Sequence, residues 1–239
     1  MKKIRLEMHI HTRYSHDSFL DKFFLLMMCK IKNINAVAIT DHNTIDGAVA
    51  YKSFLEKYGI NVIVGEEIFT KNGEIIGLFL TKYIPPYLDE VQTVYLIKEQ
   101  NGLVYIPHPY DEKRWKTVLK PQSIQKIVSY IDLIEIHNGR NIKKEFSCRQ
   151  LEIANFIDKV NVIGSDAHTF FEIGRNFMIL DDFSNAEELK RNLRKSIFYI
   201  QPCIRFSHVV TIFAKIVDLL KKGDFIGIFK VFNRRFRKD

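Results

Sequence analysis

The chain has 239 residues, 46% of them hydrophobic, with only 11 glycines and 6 prolines; that suits one large α/β domain, or a domain with a small appendage, and excludes long disorder. Cys29, Cys148 and Cys203 are widely spaced and form no CxxC, which argues for a reducing interior and against a disulfide framework or a zinc ribbon. The formal net charge of +8, weighted toward the segment from Lys215 onward, favours phosphate-bearing partners such as nucleotides, nucleic acid or anionic lipid.

In chain order, "KKIRLEMHIH" opens with an alternating apolar run that reads as a strand; it is too short and too polar for a signal peptide. Phe19 to Lys32 has helical spacing, and Ile34 to Thr40 is a continuous apolar run expected of a strand covered on both faces. Asp46-Gly47 is read as a break before a helix through about Tyr58, with Gly59 as its C-cap. "INVIVGEEI" is the third strand, and Lys71-Asn72-Gly73-Glu74 is a hairpin turn into "IIGLFL". Helix Asp89–Gln100, strand "LVYIP", a polar loop over 110–120 with Trp115, a helix from Pro121, strand "IDLIEIH", a helix over about 145–158 and strand "VNVIGSDAH" follow. "RNFMIL" is a further short strand and Asn185 to Arg194 a closing helix. No apolar segment approaches bilayer-spanning length, so the expected location is cytoplasmic.

Strands alternating with helices predict an α/β barrel over 1–200, with polar residues gathered at the C-terminal strand ends. An open doubly wound sheet would instead collect them at one switch point. Residues 201–239 read as a basic, amphipathic helical extension, broken at Gly223-Asp224; it could pack on the barrel, mediate an oligomer or lie on a membrane as a peripheral contact.

The chemistry lies at the strand ends. His9 and His11, spaced by two, point to one side of an extended strand and can share a metal ion, with Asp17 in the following loop. His42, the Glu66-Glu67 pair, His108, Glu135 with His137, and Asp166 with His168 also follow apolar runs and precede Gly, Pro, Asn or Thr. Six of the eight histidines occupy such positions; His16 and His208 do not. This regularity points to a metal centre rather than to scattered core histidines.

In order, "HIHTRYSHDS", "ITDHNTIDG", "GEEI", "IPHP", "IEIHNGR" and "GSDAH" resemble the PHP (polymerase and histidinol phosphatase) family of metal-dependent phosphoesterases over about residues 4 to 180, and the small stand-alone members in particular. The resemblance implies a distorted seven-stranded (β/α) barrel, TIM-barrel-like, holding two or three divalent ions (Zn, Mn or Fe). It implies that His9, His11, Glu67 and Asp166 hold a first metal. Glu67 would bridge to a second metal, bound by His108 and His137, and Asp17, His42 and His168 would hold a third. The chain has Ser15-His16-Asp17-Ser18 where relatives often have Ser-Asp-Gly, so His16 and Asp17 compete for one role, with Asp17 preferred as a carboxylate. Strand "IIGLFL" lacks a histidine that many relatives carry, which puts weight on His137; alternation sends Glu66 to the opposite face from Glu67.

Such a cluster suits hydrolysis of phosphate esters by a metal-bound hydroxide, with no covalently modified side chain. Glu67, Asp166 and His168 are the catalytic candidates, together with Arg140 as a phosphate clamp; Arg114, Arg175 and Trp115 are secondary candidates for substrate contact. Three functions compete: a phosphatase or phosphodiesterase on nucleotides or other small phosphorylated substrates, an exonuclease on RNA or DNA ends, and a module that keeps metals for structure. The sequence leaves the oligomeric state open.

Overall fold

Strand β1 (Lys3–Ile10) is the spine of the fold, paired along one edge with parallel β2 (Ala36–Ile39) and along the first half of the other with antiparallel β8 (Phe177–Asp181). The structure is a computed structural model describing residues 2–111 and 114–236. The remaining strands are β3 (Asn61–Thr70), β4 (Gly73–Leu78), β5 (Leu103–Ile106), β6 (Leu133–Asn138), β7 (Val160–Gly164) and β9 (Ile197–Tyr199). Among the described residues they form one nine-stranded sheet in the order β7-β6-β5-β4-β3-β2-β1-β8-β9. The expected count of seven strands is therefore corrected to nine, through β8 and the unforeseen β9.

The sheet is mixed rather than all parallel, because β4 runs antiparallel to both β3 and β5. Closure comes from the chain just past β7: Ser165 N donates to Met8 O at 2.9 Å, and His11 N and Ala167 N donate to Ala167 O and His9 O at 2.8 and 3.2 Å. Antiparallel β8 covers the first half of that β1 edge and this segment the second, so the barrel is nearly closed.

Around the strands lie α1 (Lys22–Lys32), α2 (Asp46–Leu55), α3 (Glu90–Glu99), α4 (Pro121–Ile127), α5 (Lys144–Ile157), α6 (Ala186–Leu193), α7 (Arg205–Lys221) and α8 (Phe225–Phe236). Asp21 caps α1 by accepting from Phe23 N, and Asp89 caps α3 by accepting from Val91 N and Gln92 N. The anticipated break at Asp46-Gly47 is instead the first turn of α2. A Cβ at position 47 would lie 2.1 Å from Asp41 Oδ2, so this glycine serves close approach rather than interruption.

Three apolar clusters form the core. One fills the barrel, from Leu6, Met8, Ile76 and Tyr105 down to Leu189 and Leu193 of α6, which plug its base. The other two lie between the sheet and its helices, one beneath α1 and α2 and one beneath α3 and α4. Burying a Leu or Ile side chain stabilises by about 1.5–3 kcal/mol, so this packing fixes the strand ends relative to one another. Above the apolar layers the barrel turns polar, with Glu67, Glu135, His9 and Asp166 all buried. No described helix is long and apolar enough to cross a membrane.

Candidate metal centre

Glu67, at the C-terminal end of β3, lies at the centre of four imidazoles. Its Oε1 lies 3.3 Å from His9 Nε2 and 3.1 Å from His108 Nε2; its Oε2 lies 3.4 Å from His11 Nε2 and 2.9 Å from His42 Nδ1. Asp166, just past β7, approaches from the far side of the first pair, with Oδ1 3.8 Å from His9 Nε2 and 3.5 Å from His11 Nε2. A four-coordinate ion with ligands at about 2.1 Å sets its ligand atoms about 3.4 Å apart. The spacings among His9, His11, Glu67 and Asp166 fall around that value. Moreover, Nε2 of His9 and of His11 are buried without a hydrogen-bond partner. Buried imidazole nitrogens left unpaired among carboxylates are what a bound cation would satisfy. The residues fit a metal.

His9 and His11 do not reach this point by simple alternation. The β1–β2 register shifts between Glu7 and Ile10, and His9 takes φ 64°. His108 and Asp166 also have positive φ, 29° and 51°. Three of the five positions around this centre thus hold backbone that non-glycine residues rarely adopt, and such strain concentrates at functional sites.

A second group lies beside the first. Asp17 Oδ1 is 3.3 Å from His168 Nε2 and 3.6 Å from His42 Nε2, and the ring of His11 stacks on His168 at 4.2 Å. Asp17 rather than His16 therefore sits between His42 and His168, although His16 borders the same group. The loop is held by buried Asp41, which accepts from Thr12 N (2.6 Å), Thr12 Oγ1 (2.7 Å) and Ser15 Oγ (2.7 Å). Ser18 Oγ joins the two histidine loops by donating to His11 O and His168 O, each at 2.9 Å.

The structure does not bring His137 into the cluster, which corrects that expectation. The β6–β7 register shifts between Glu135 and His137, and Nδ1 of His137 lies 2.8 Å from Ser147 Oγ on α5 instead. The position beside His108 belongs to Glu74, whose Oε2 is 3.5 Å from His108 Nε2 and whose Oε1 is 4.0 Å from His42 Nδ1. Sequence reading placed Glu74 in the turn. The turn is tighter, pairing Thr70 with Gly73, Phe69 with Glu74 and Glu67 with Ile76, so Glu74 shares the face of Glu67. Counting alternation across the hairpin would have found it. Glu66 is buried away from the cluster, accepting from Ile84 N at 3.1 Å.

Glu135, a strand-end carboxylate to which the resemblance assigns no role, stands behind the cluster. Its Oε2 lies 3.0 Å from His9 Nδ1 and accepts from Tyr105 OH, while Oε1 accepts from His108 N (3.1 Å) and Asn138 Nδ2 (2.7 Å). It orients His9 from behind, as carboxylates orient metal-binding imidazoles elsewhere. Arg140 is buried with its guanidinium divided: Nη2 donates to Thr211 Oγ1 (2.8 Å) and lies 3.2 Å from His208 Nδ1, both on α7, while Nη1, without a hydrogen-bond partner, lies 3.9 Å from Glu172 Oε1, and its charge helps to hold Asp166 low. The cation on Asp166 is Arg114, with Nη1 at 2.6 Å from Oδ2. Arg175 binds Pro202 O, and Trp115 is 72% exposed.

The electrostatics agree with a cation site. Burial would raise Asp166, but Arg114, then His9 and His168, hold it well below the usual carboxylate range. Glu67 is likewise held low by His9 and His42 against burial. Burial would lower His9, yet Glu67, Asp166 and Glu135 push it well above its ordinary value; His11, with burial, His168 and His42 all opposing charge, is pushed well below. The pocket favours added positive charge.

The sequence model for the PHP domain matches residues 7–108, a span that contains His9, His11, Asp17, His42, Glu67 and His108. The chain belongs to the PHP domain family. The uncharacterized protein MJ0417 of Methanocaldococcus jannaschii is 34% identical over 177 residues, covering 73% of this chain and 70% of that protein. MJ1587 of the same organism is 44% identical over 117 residues, 45% of this chain and 68% of the relative. Among solved structures, a Bacteroides vulgatus two-domain protein superposes with a TM-score of 0.68 at 16% identity, over 84% of this PHP chain. That protein is described as containing a predicted PHP-like metal-dependent phosphoesterase, and this chain spans 65% of its length. At that identity the likeness concerns the fold.

Proposed function

We propose that the chain is a metal-dependent phosphoesterase acting on nucleotides or other small phosphorylated substrates. The observation that carries this reading is the convergence of His9, His11, Glu67 and Asp166 at metal-ligand spacing, with both imidazole Nε2 atoms otherwise unpartnered. His108 and Glu74 extend the site on the other side of Glu67, and Asp17, His42 and His168 offer a third group. Divalent cations held there would supply Lewis acidity, making a water nucleophilic near neutral pH and offsetting charge on the phosphoryl oxygens.

The protein's own residues do the rest. Glu135 fixes the ring of His9 and the backbone of His108, so that two imidazoles enter the site preoriented. Arg114 sits on Asp166 at the rim and is the cation best placed as a phosphate clamp, with Arg140, partly engaged by α7, set further back. Lys215 of α7, whose Nζ lies 3.3 Å from His16 Nε2, offers a second cation beside the Asp17 group. A phosphate monoester entering between them meets positive charge on two sides.

Elemental analysis of the purified protein, then turnover of a nucleoside monophosphate against a short labelled oligonucleotide across a salt series, tests the reading. It expects at least one tightly bound divalent ion per chain and turnover of the mononucleotide with a shallow salt dependence. Metal-replete protein without activity on any phosphoester would overturn it. The exposed Trp115 in the Arg114 loop supports the second reading, an exonuclease or phosphodiesterase on RNA or DNA ends; a steep salt slope with preference for the oligonucleotide would favour that one.

A further inference from the structure

Helix α7 has two sides with different tasks. One faces the metal centre: Thr211 and His208 hold Arg140, and Lys215 rests on His16. The other turns large apolar side chains to solvent, with Phe206 63% and Phe213 60% exposed. These do not stand alone. Phe213 lies 6.1 Å from the ring of Phe19, and Phe206 lies 6.3 Å from Phe171, which contacts Phe170 at 5.4 Å, which in turn stacks on Phe24 of α1 at 5.3 Å. Exposed rings from α1, the turn after His168 and α7 therefore form one surface, and α8, which packs against α7, carries a further exposed ring in Phe229 (66%). Scattered apolar residues are ordinary on a protein; a continuous field of phenylalanines requires a partner.

Charge narrows the partner. Residues 201–231 carry five lysines and arginines against two aspartates and no glutamate. Two copies meeting through this face would set these cationic segments against each other. Nucleic acid would suit the charge, and its bases could stack on the rings, but the aliphatic side chains of Val209, Leu220 and Ile226, exposed in the same helices, would stay in water against it. An anionic bilayer satisfies both features: basic side chains reach the headgroups while phenylalanine and aliphatic side chains enter the acyl boundary.

We propose that the face built from α1, the turn at 170–171, α7 and α8 docks on the surface of an anionic phospholipid membrane. Because α7 also borders the metal centre, docking sets that centre close to the bilayer. The proposal concerns binding and stands whether or not the phosphoesterase reading holds.

Cosedimentation of the full chain with phosphatidylcholine vesicles, with and without about one third phosphatidylglycerol, tests it. Partitioning is expected to be at least about tenfold stronger on the anionic vesicles and to weaken with salt. The Phe206→Ser/Phe213→Ser double variant is expected to lose about tenfold or more of that partitioning with an unchanged melting curve. Should that variant fail to fold, Lys221→Gln and Lys230→Gln, both at exposed positions, serve instead, with a loss of about fivefold per lysine. Equal binding to both vesicle types, or none, overturns the proposal. So does a dimer in sedimentation equilibrium that the phenylalanine variant dissolves, or oligonucleotide binding that the anionic vesicles do not compete.

Discussion

Replacing Glu74 by glutamine separates a proposed second-metal site that uses Glu74 from one built on His137. In the fold, Glu74 brings its carboxylate to 3.5 Å from His108 Nε2, while His137 points to Ser147 on α5. A unit charge about 4 Å from a divalent ion is worth about 8 kcal/mol at an effective dielectric of 20, before water replaces the lost oxygen. Even side chains that only orient a metal ligand typically cost about 10–100-fold in metal affinity when removed, so about 100-fold, or about 3 kcal/mol, is expected for Glu74→Gln. The metal-free fold should not suffer. Burial, reinforced by the neighbouring Glu67 carboxylate, pushes Glu74 up to about 7, so near neutral pH its neutral form is already accessible and a neutral amide fits. The assay is metal titration by calorimetry on apo protein, alongside thermal melts of the same samples. Glu74→Gln should weaken one binding step and leave the apo melting temperature unchanged, whereas His137→Gln should leave every step intact. The opposite pattern would refute the assignment.

Other expectations follow from the same geometry. Glu135→Gln removes the charge and one of the two acceptor oxygens behind His9 and should lower metal affinity or turnover by about 10–100-fold with the fold retained, as measured by titration and steady-state kinetics. Gly47→Ala forces a Cβ to within 2.1 Å of Asp41 Oδ2 and 2.6 Å of Thr12 Oγ1, so it should destabilise by about 1–3 kcal/mol in denaturant unfolding. Leu6→Ala, at a fully buried site inside the barrel, should cost about 2–5 kcal/mol in the same measurement. Chelation should lower the melting temperature, because metal held between β1, β3 and the segment after β7 stabilises the closed barrel by about 2.7 kcal/mol at a hundred times Kd. An unchanged melting temperature on chelation of metal-replete protein would count against metal bridging those strands.

The sequence by itself determined the order of elements and most of the residues gathered at the candidate metal centre, because both are local. Apolar runs ending in His, Asp or Glu report a strand and the loop after it without reference to the rest of the chain. His9, His11, Asp17, His42, Glu67, His108, Asp166 and His168 do converge. Tertiary structure decided what depends on register and on partners distant in sequence. The β3–β4 loop is only Lys71 and Asn72, so Glu74 lies within β4 opposite Phe69 and on the face of Glu67, and a shift in β6 turned His137 outward. Strand count depended on pairing as well: β8 is legible as a short apolar run, but β9 is too short to announce itself and is defined by its pairing with β8 on the β1 edge. Arg140 and Arg114 exchanged expectations for the same reason, since a long flexible cation settles on whichever acceptor packing supplies, and only the folded chain places α7 beside one and Asp166 beside the other.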